Sequence, residues 1–105
     1  MTCPERGDAV WLDFGSHGQD RRAALVLSPS PYNRRVRLAL VCPITAEVTG
    51  YPFEVVIPEG EGVSGVILSD QVRSLDWQKR GAEFICKLPS ATLDEVLRKA
   101  RTLLT

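Results

Sequence analysis

Turn-forming residues cut this 105-residue chain into short pieces. Gly7-Asp8, the loop from Gly15 to Asp20, Ser28-Pro29-Ser30-Pro31, Gly50-Tyr51-Pro52, Pro58-Glu59-Gly60-Glu61-Gly62 and Gly81 leave apolar runs of strand length between them. Glycine supplies left-handed backbone and proline removes an amide donor, so both end regular structure. The runs at 9–14, 23–27, 36–43, 53–57, 64–68, 71–75 and 83–88 read as strands. Residues 36–43 are nearly all apolar, which predicts a central strand buried on both faces. A short helical turn is expected within 28–33. Only the end of the chain changes period: Leu93, Val96, Leu97, Ala100, Leu103 and Leu104 fall on one face of a helix. Thr92 and Glu95 have capping-box spacing, with Ser90 as an alternative cap one turn earlier. Many short strands and one terminal amphipathic helix predict a small barrel.

The length suits one domain, read as 1–105. No apolar run approaches the roughly 18 residues of a membrane span, and the first residues lack a signal-peptide core. A cytoplasmic protein with no membrane contact is therefore expected. Cys3, Cys42 and Cys86 are odd in number and far apart, which fits neither a disulfide framework nor a zinc site. Cys42 and Cys86 read as small buried hydrophobes. Formal net charge is zero, which argues against a surface coated for duplex DNA. Yet ten of the 13 cations are arginine, clustered as Arg21-Arg22 and Arg34-Arg35-Val36-Arg37.

Familiar catalytic patterns are missing. The chain has no glycine-rich phosphate loop. Its single histidine, His17, allows no two-histidine metal site. Ser28 and Ser30 sit in a turn rather than a nucleophile elbow. What remains is Arg21-Arg22 at the mouth of one strand and Thr45 at the end of another, which adjacent strands could bring to one rim. Arginine grips phosphate in a planar, bidentate fashion, and a hydroxyl beside it completes an oxyanion clamp. Read alone, the same residues also fit a salt-bridged strand edge and a turn hydroxyl.

Several segments follow one another in a fixed order: Arg6-Gly7-Asp8 with Trp11-Leu12-Asp13-Phe14, then Arg22-Ala23-Ala24-Leu25-Val26-Leu27-Ser28-Pro29 with Tyr32-Asn33. Cys42-Pro43-Ile44-Thr45, Gly50-Tyr51-Pro52-Phe53-Glu54-Val55 and Gly65 to Ser74 continue the series, with Trp77 and Arg80 just after. In these segments and their spacing the chain resembles the MazF/PemK family of toxin endoribonucleases, the mRNA interferases of bacterial type II toxin–antitoxin systems. The segments YPFEV and DQVRS are closest to the MazF branch. The resemblance implies an SH3-like, MazF/CcdB-like β-barrel, mainly β with α, bearing a C-terminal helix and working as a homodimer. It implies Arg22 and Thr45 as catalytic and Gln71 as lining the RNA site. Arg21, Phe14, Ser16, His17, Gln19 and Arg73 are expected to contact the RNA around them. Two departures stand out: Ala23 follows Arg22 where the family has proline, and the preceding loop is shorter. Gln19 is the expected counterpart of the family glutamine there, and the family's loop acid lacks a clear counterpart.

The implied reaction cuts single-stranded RNA without metal or cofactor. The ribose 2′-hydroxyl attacks the adjacent phosphorus and expels the next 5′-oxygen, leaving a 2′,3′-cyclic phosphate and a 5′-hydroxyl. The protein then only positions groups and neutralises charge. Arg22 is expected as the clamp and as acid to the leaving oxygen, since a guanidinium does not serve as a base near neutral pH. The base is unassigned, with His17 the weak candidate. The implied partner is a cognate MazE-like antitoxin whose acidic, hydrophobic-studded segment occupies the same groove. Any DNA association would be indirect, through that antitoxin. Arg34, Arg35 and Arg37 are expected near the groove rim with Tyr51, Phe53 and Trp77. The helix is expected to spend its apolar face on its own barrel, leaving dimer contacts to strands and connectors. The alternatives are a non-catalytic SH3-like binding module and a gyrase-inhibiting toxin of the same fold.

Overall fold

The computed structural model describes residues 2–15 and 18–105. Seven strands and two helices follow in the order β1 (Asp8–Asp13), β2 (Arg21–Val26), α1 (Ser30–Val36), β3 (Ala39–Thr45), β4 (Glu54–Val56), β5 (Val66–Leu68), β6 (Arg73–Leu75), β7 (Glu83–Lys87) and α2 (Ser90–Arg101). All pairings are antiparallel. The ladder runs β4-β5-β3-β2-β1-β7, with β6 also paired to β3. Strand β3 is the hub, since it pairs with β2, β5 and β6.

The sheet coils so that β4 and β7, the two ends of the ladder, face a common core. Val55 of β4 lies in one cluster with Leu25, Cys42, Ile67 and Val96, and Ile85 of β7 packs against it. This is the expected SH3-like barrel, although the hydrogen-bonded ladder itself stays open between β4 and β7. The second face carries Val10, Leu12, Phe14, Ala24, Val26, Val41 and Trp77. Alternate residues of β2 enter the two cores, which is why residues 23–27 read as a continuous apolar run.

Three expectations about elements need correction. The third strand does not begin at Val36, because residues 30–36 form a helix and the strand occupies Ala39–Thr45. Pro31 sits in the first turn of α1, where a missing N–H costs nothing, and the helix ends at Arg37 in a left-handed conformation (φ 64°). Buried Asn33 ties α1 down by donating to the Pro4 and Ser28 carbonyls. The capping box at the last helix is not used: α2 starts after Pro89, whose carbonyl accepts from Thr92 and Leu93, and no side chain caps it. Glu95 instead faces Lys99 one turn on, at 3.7 Å. Leu103 and Leu104 lie beyond α2 and are exposed, so the buried face ends at Ala100. Cys42 is buried as expected, whereas Cys86 is only half-buried.

Candidate RNA-cleavage site

Strands β2 and β3 pair at Ala24↔Pro43, Leu25↔Cys42 and Val26↔Val41. Continuing that register two residues brings Arg22 opposite Thr45. The two strands separate before they reach that point, because the end of β3 turns to pair with β5 at Ile44↔Ile67 and Thr45↔Val66. A cleft of about 630 Å³ opens where they splay, lined by Trp11, Arg21, Arg22, Thr45, Glu47 and Val63 among others. The two expected catalytic residues therefore share one cleft, on strands that the apolar cores hold rigidly behind it.

Gly65 sets how closely β5 approaches Thr45. Its φ is 116°, and a Cβ there would overlap the Thr45 carbonyl. The Thr45 hydroxyl oxygen accepts the Glu47 N–H at 3.1 Å, which leaves the hydroxyl proton to donate. Beyond it, the segment leading to β4 is organised by the Glu54 carboxylate. That group accepts from the Thr49 hydroxyl and from the backbone N–H groups of Thr49 and Gly50. These bonds, the Thr49 hydroxyl foremost, hold the Glu54 carboxyl below its usual range. Lys99 of α2 fastens the same segment through the Pro52 and Glu54 carbonyls. Tyr51 is exposed, donates to Asp70 at 2.8 Å and tilts against Phe53; the Asp70 bond pushes its phenol pKa up.

Around Arg22 the arrangement is cationic and aromatic. The guanidinium donates from Nε to Asp20 Oδ1 at 2.9 Å and lies 6.0 Å from the Phe14 ring centroid. Arg73, at the start of β6, lies over the same ring. Gln71 is exposed two residues earlier, its N–H closing a turn on the Leu68 carbonyl. Gln19 is exposed in the loop before β2. Ser16 and His17 lie outside the described residues. Arg21 turns away from this group: its Nη2 donates to the Gly81 carbonyl at 2.8 Å and pairs with Glu83.

Two expectations about the rim are corrected. Arg34, Arg35 and Arg37 belong to α1 and its cap, at the Val26 end of β2, opposite the end that carries Arg22. Arg34 and Arg37 line a separate hollow there, and Arg37 donates to Gln78. Trp77 is buried, with its indole N–H on the Asn33 carbonyl, so it is a core residue rather than a groove surface. Sequence reasoning passed over Asp20, Glu47 and Gly65. Only the position of Asp20 two residues before Arg22 signalled its part. Among the described residues, no group of three His, Cys, Asp or Glu could hold a metal ion. None of the helices described is long and apolar enough to cross a membrane.

This fold is that of a toxin class built on a small coiled sheet. Residues 5–104 match the family of PemK-like, MazF-like toxins of type II toxin–antitoxin systems, and the chain belongs to it. It is 46% identical over 83 residues to the endoribonuclease toxin MazF of Escherichia coli strain K12, covering 75% of this chain and 74% of that one. It is 32% identical over 113 residues to the Escherichia coli endoribonuclease PemK, covering 96% and 82%. A MazE–MazF crystal structure from Deinococcus radiodurans superposes with a TM-score of 0.92 at 47% identity, covering 99% of this chain and 97% of that one.

Proposed function

We propose that this chain is an endoribonuclease toxin, a single cytoplasmic domain that cuts single-stranded RNA and is silenced by a cognate antitoxin. The observation that carries the reading is the placement of Arg22 and Thr45 on the rim of one cleft. Arg22 grips the scissile phosphate and Thr45 donates its hydroxyl proton to a non-bridging oxygen. The substrate's own 2′-hydroxyl attacks phosphorus as the bond to the 5′-oxygen breaks. The 2′-hydroxyl proton leaves to a base, and the 5′-oxygen takes up a proton from the Arg22 side. Charge on the phosphorane is met by a fixed cation and a fixed dipole, which need no reorganisation during the reaction. Phe14, Arg73, Gln71 and Gln19 extend the contact along the strand.

The toxin works as a homodimer. Tyr32, Leu40, Val72 and Leu104 are exposed and line one apolar groove beside α2, which offers the second copy a surface made of strand, connector and helix end. The antitoxin supplies an acidic segment with apolar side chains that folds onto the cationic cleft.

The deciding experiment incubates pure protein with a single-stranded RNA in EDTA and maps the products. Cleavage to a 2′,3′-cyclic phosphate is expected, and replacing the ribose 5′ to the cut by deoxyribose should stop it without stopping binding. Uncut RNA would leave a binding module or a gyrase-directed toxin; cutting of the deoxy-substituted strand would overturn the mechanism.

A further inference from the structure

We propose that Asp20 is a positioning residue for Arg22, one that selects which edge of the guanidinium meets the phosphate. The inference rests on the reading of Arg22 as the phosphate clamp. A guanidinium offers two bidentate forks: a side-on fork of Nε with one Nη, and an end-on fork of both Nη atoms. Asp20 Oδ1 takes the Nε–H at 2.9 Å, so the side-on fork is occupied and the end-on fork is the one presented to a substrate.

The holder is itself fixed by the backbone. The Asp20 N–H donates to Asp13 Oδ1 at 3.3 Å, its carbonyl accepts the Phe14 N–H at 2.8 Å, and Gly15 donates to the same Asp13 oxygen at 3.0 Å. A Cβ on Gly15 would come within 3.1 Å of the Asp20 Cβ, so Gly15 and Asp20 approach each other closely. Phe14, whose N–H is part of that closure, also presents the ring beside Arg22. Carboxylate and ring thus set the guanidinium from two directions.

The pair is not there to hold the fold. Both side chains are about half exposed (55% for Arg22, 45% for Asp20), and exposed ion pairs add little stability. Its effect belongs to orientation, where a small misplacement costs a large part of the rate.

The test maps a cut site in a long single-stranded transcript. It then measures kcat and KM separately on an oligonucleotide spanning the site, with Tm recorded for every variant. Asp20→Ala is expected to lower kcat by about tenfold or more with KM unchanged or lower and Tm close to the parent's. Asp20→Asn keeps an oxygen acceptor and is expected to recover most of kcat. In an Arg22→Lys background, which has no Nε–H, Asp20→Ala is expected to add no further loss. Parental kcat in Asp20→Ala, a loss confined to KM, or a further loss on top of Arg22→Lys would overturn the proposal. Asp20→Asn as inactive as Asp20→Ala would overturn it too, by showing that the carboxylate charge and not an oxygen acceptor is what matters. If the parent itself cut no RNA, the proposed function would fail while the clamp remained testable by nitrogen relaxation. Arg22 Nε is expected to be ordered in the parent and mobile in Asp20→Ala, and equal mobility in both would overturn the clamp.

Discussion

Arg73 lies over the ring of Phe14, its Cζ 5.2 Å from the centroid. Phe14 is almost wholly buried, so the ring serves the core with one part and the cationic rim with the other. Phe14→Leu should preserve most of the packing and remove the π-face under both Arg73 and Arg22. Each cation–π contact at an exposed site is worth about 0.5–1 kcal/mol, so RNA affinity is expected to fall several-fold with only a modest drop in Tm. Unchanged affinity in a titration at fixed salt would count against the ring's part in the site.

Arg22→Ala should lower the rate of cleavage on the order of 10²–10³-fold, the usual cost of one oxyanion-type contact. Thr45→Ala should lose less, because a neutral donor is the weaker partner. Single-turnover rates on a defined oligonucleotide, with circular dichroism to confirm folding, measure both. Near-parental turnover by folded Arg22→Ala protein would remove it from the mechanism.

Gly65→Ala should damage activity and stability together. The new Cβ meets the Thr45 carbonyl at a left-handed backbone, whereas Gly60, with φ 84°, has open space around it. Gly60→Ala is thus the control: it carries the left-handed strain of roughly 1–2 kcal/mol but is expected to keep parental cleavage. Equal effects of the two substitutions on cleavage would show that β5 does not position Thr45.

The Cys42 thiol should be inert in the folded protein. Burial, reinforced by the nearby charge of Asp70, pushes it from 9.0 up to about 12. Only the thiolate reacts, so alkylation of Cys42 at about pH 8 should proceed only after unfolding in urea, which peptide mass mapping would reveal. The sign for stability follows: the contribution is intact below the unfolded thiol's pKa near 9 and is lost as pH rises towards 12. Rapid native labelling of Cys42 would contradict its burial.

An antitoxin C-terminal peptide and RNA should compete. Both depend on the cationic rim around Arg22 and Arg73, so each is expected to raise the apparent Kd of the other, more strongly at low salt. Simultaneous, independent binding in a fluorescence titration would rule out a shared groove.

The expected catalytic roles of Arg22 and Thr45 came from the family resemblance alone. That both stand at the ends of buried runs was legible from the sequence, because a run that must be buried dictates where its polar ends emerge. The same logic made the strands and the last helix readable. It failed at residues 36–38, where apolar content resembled a strand but Pro31 had already started a helix that Asn33 anchors. Composition could not separate Arg21 from Arg22. Adjacent residues of a strand point to opposite sides, and only the folded sheet decides that Arg21 meets Glu83 while Arg22 meets Asp20 and Phe14. Likewise the arginines of α1 looked close to the site until the direction of β2 carried them to its far end. Sequence alone determined which residue types stand at the ends of buried segments, because burial is a local requirement of each run. The tertiary structure decided which of those ends converge, because register and strand splay depend on partners distant in the chain.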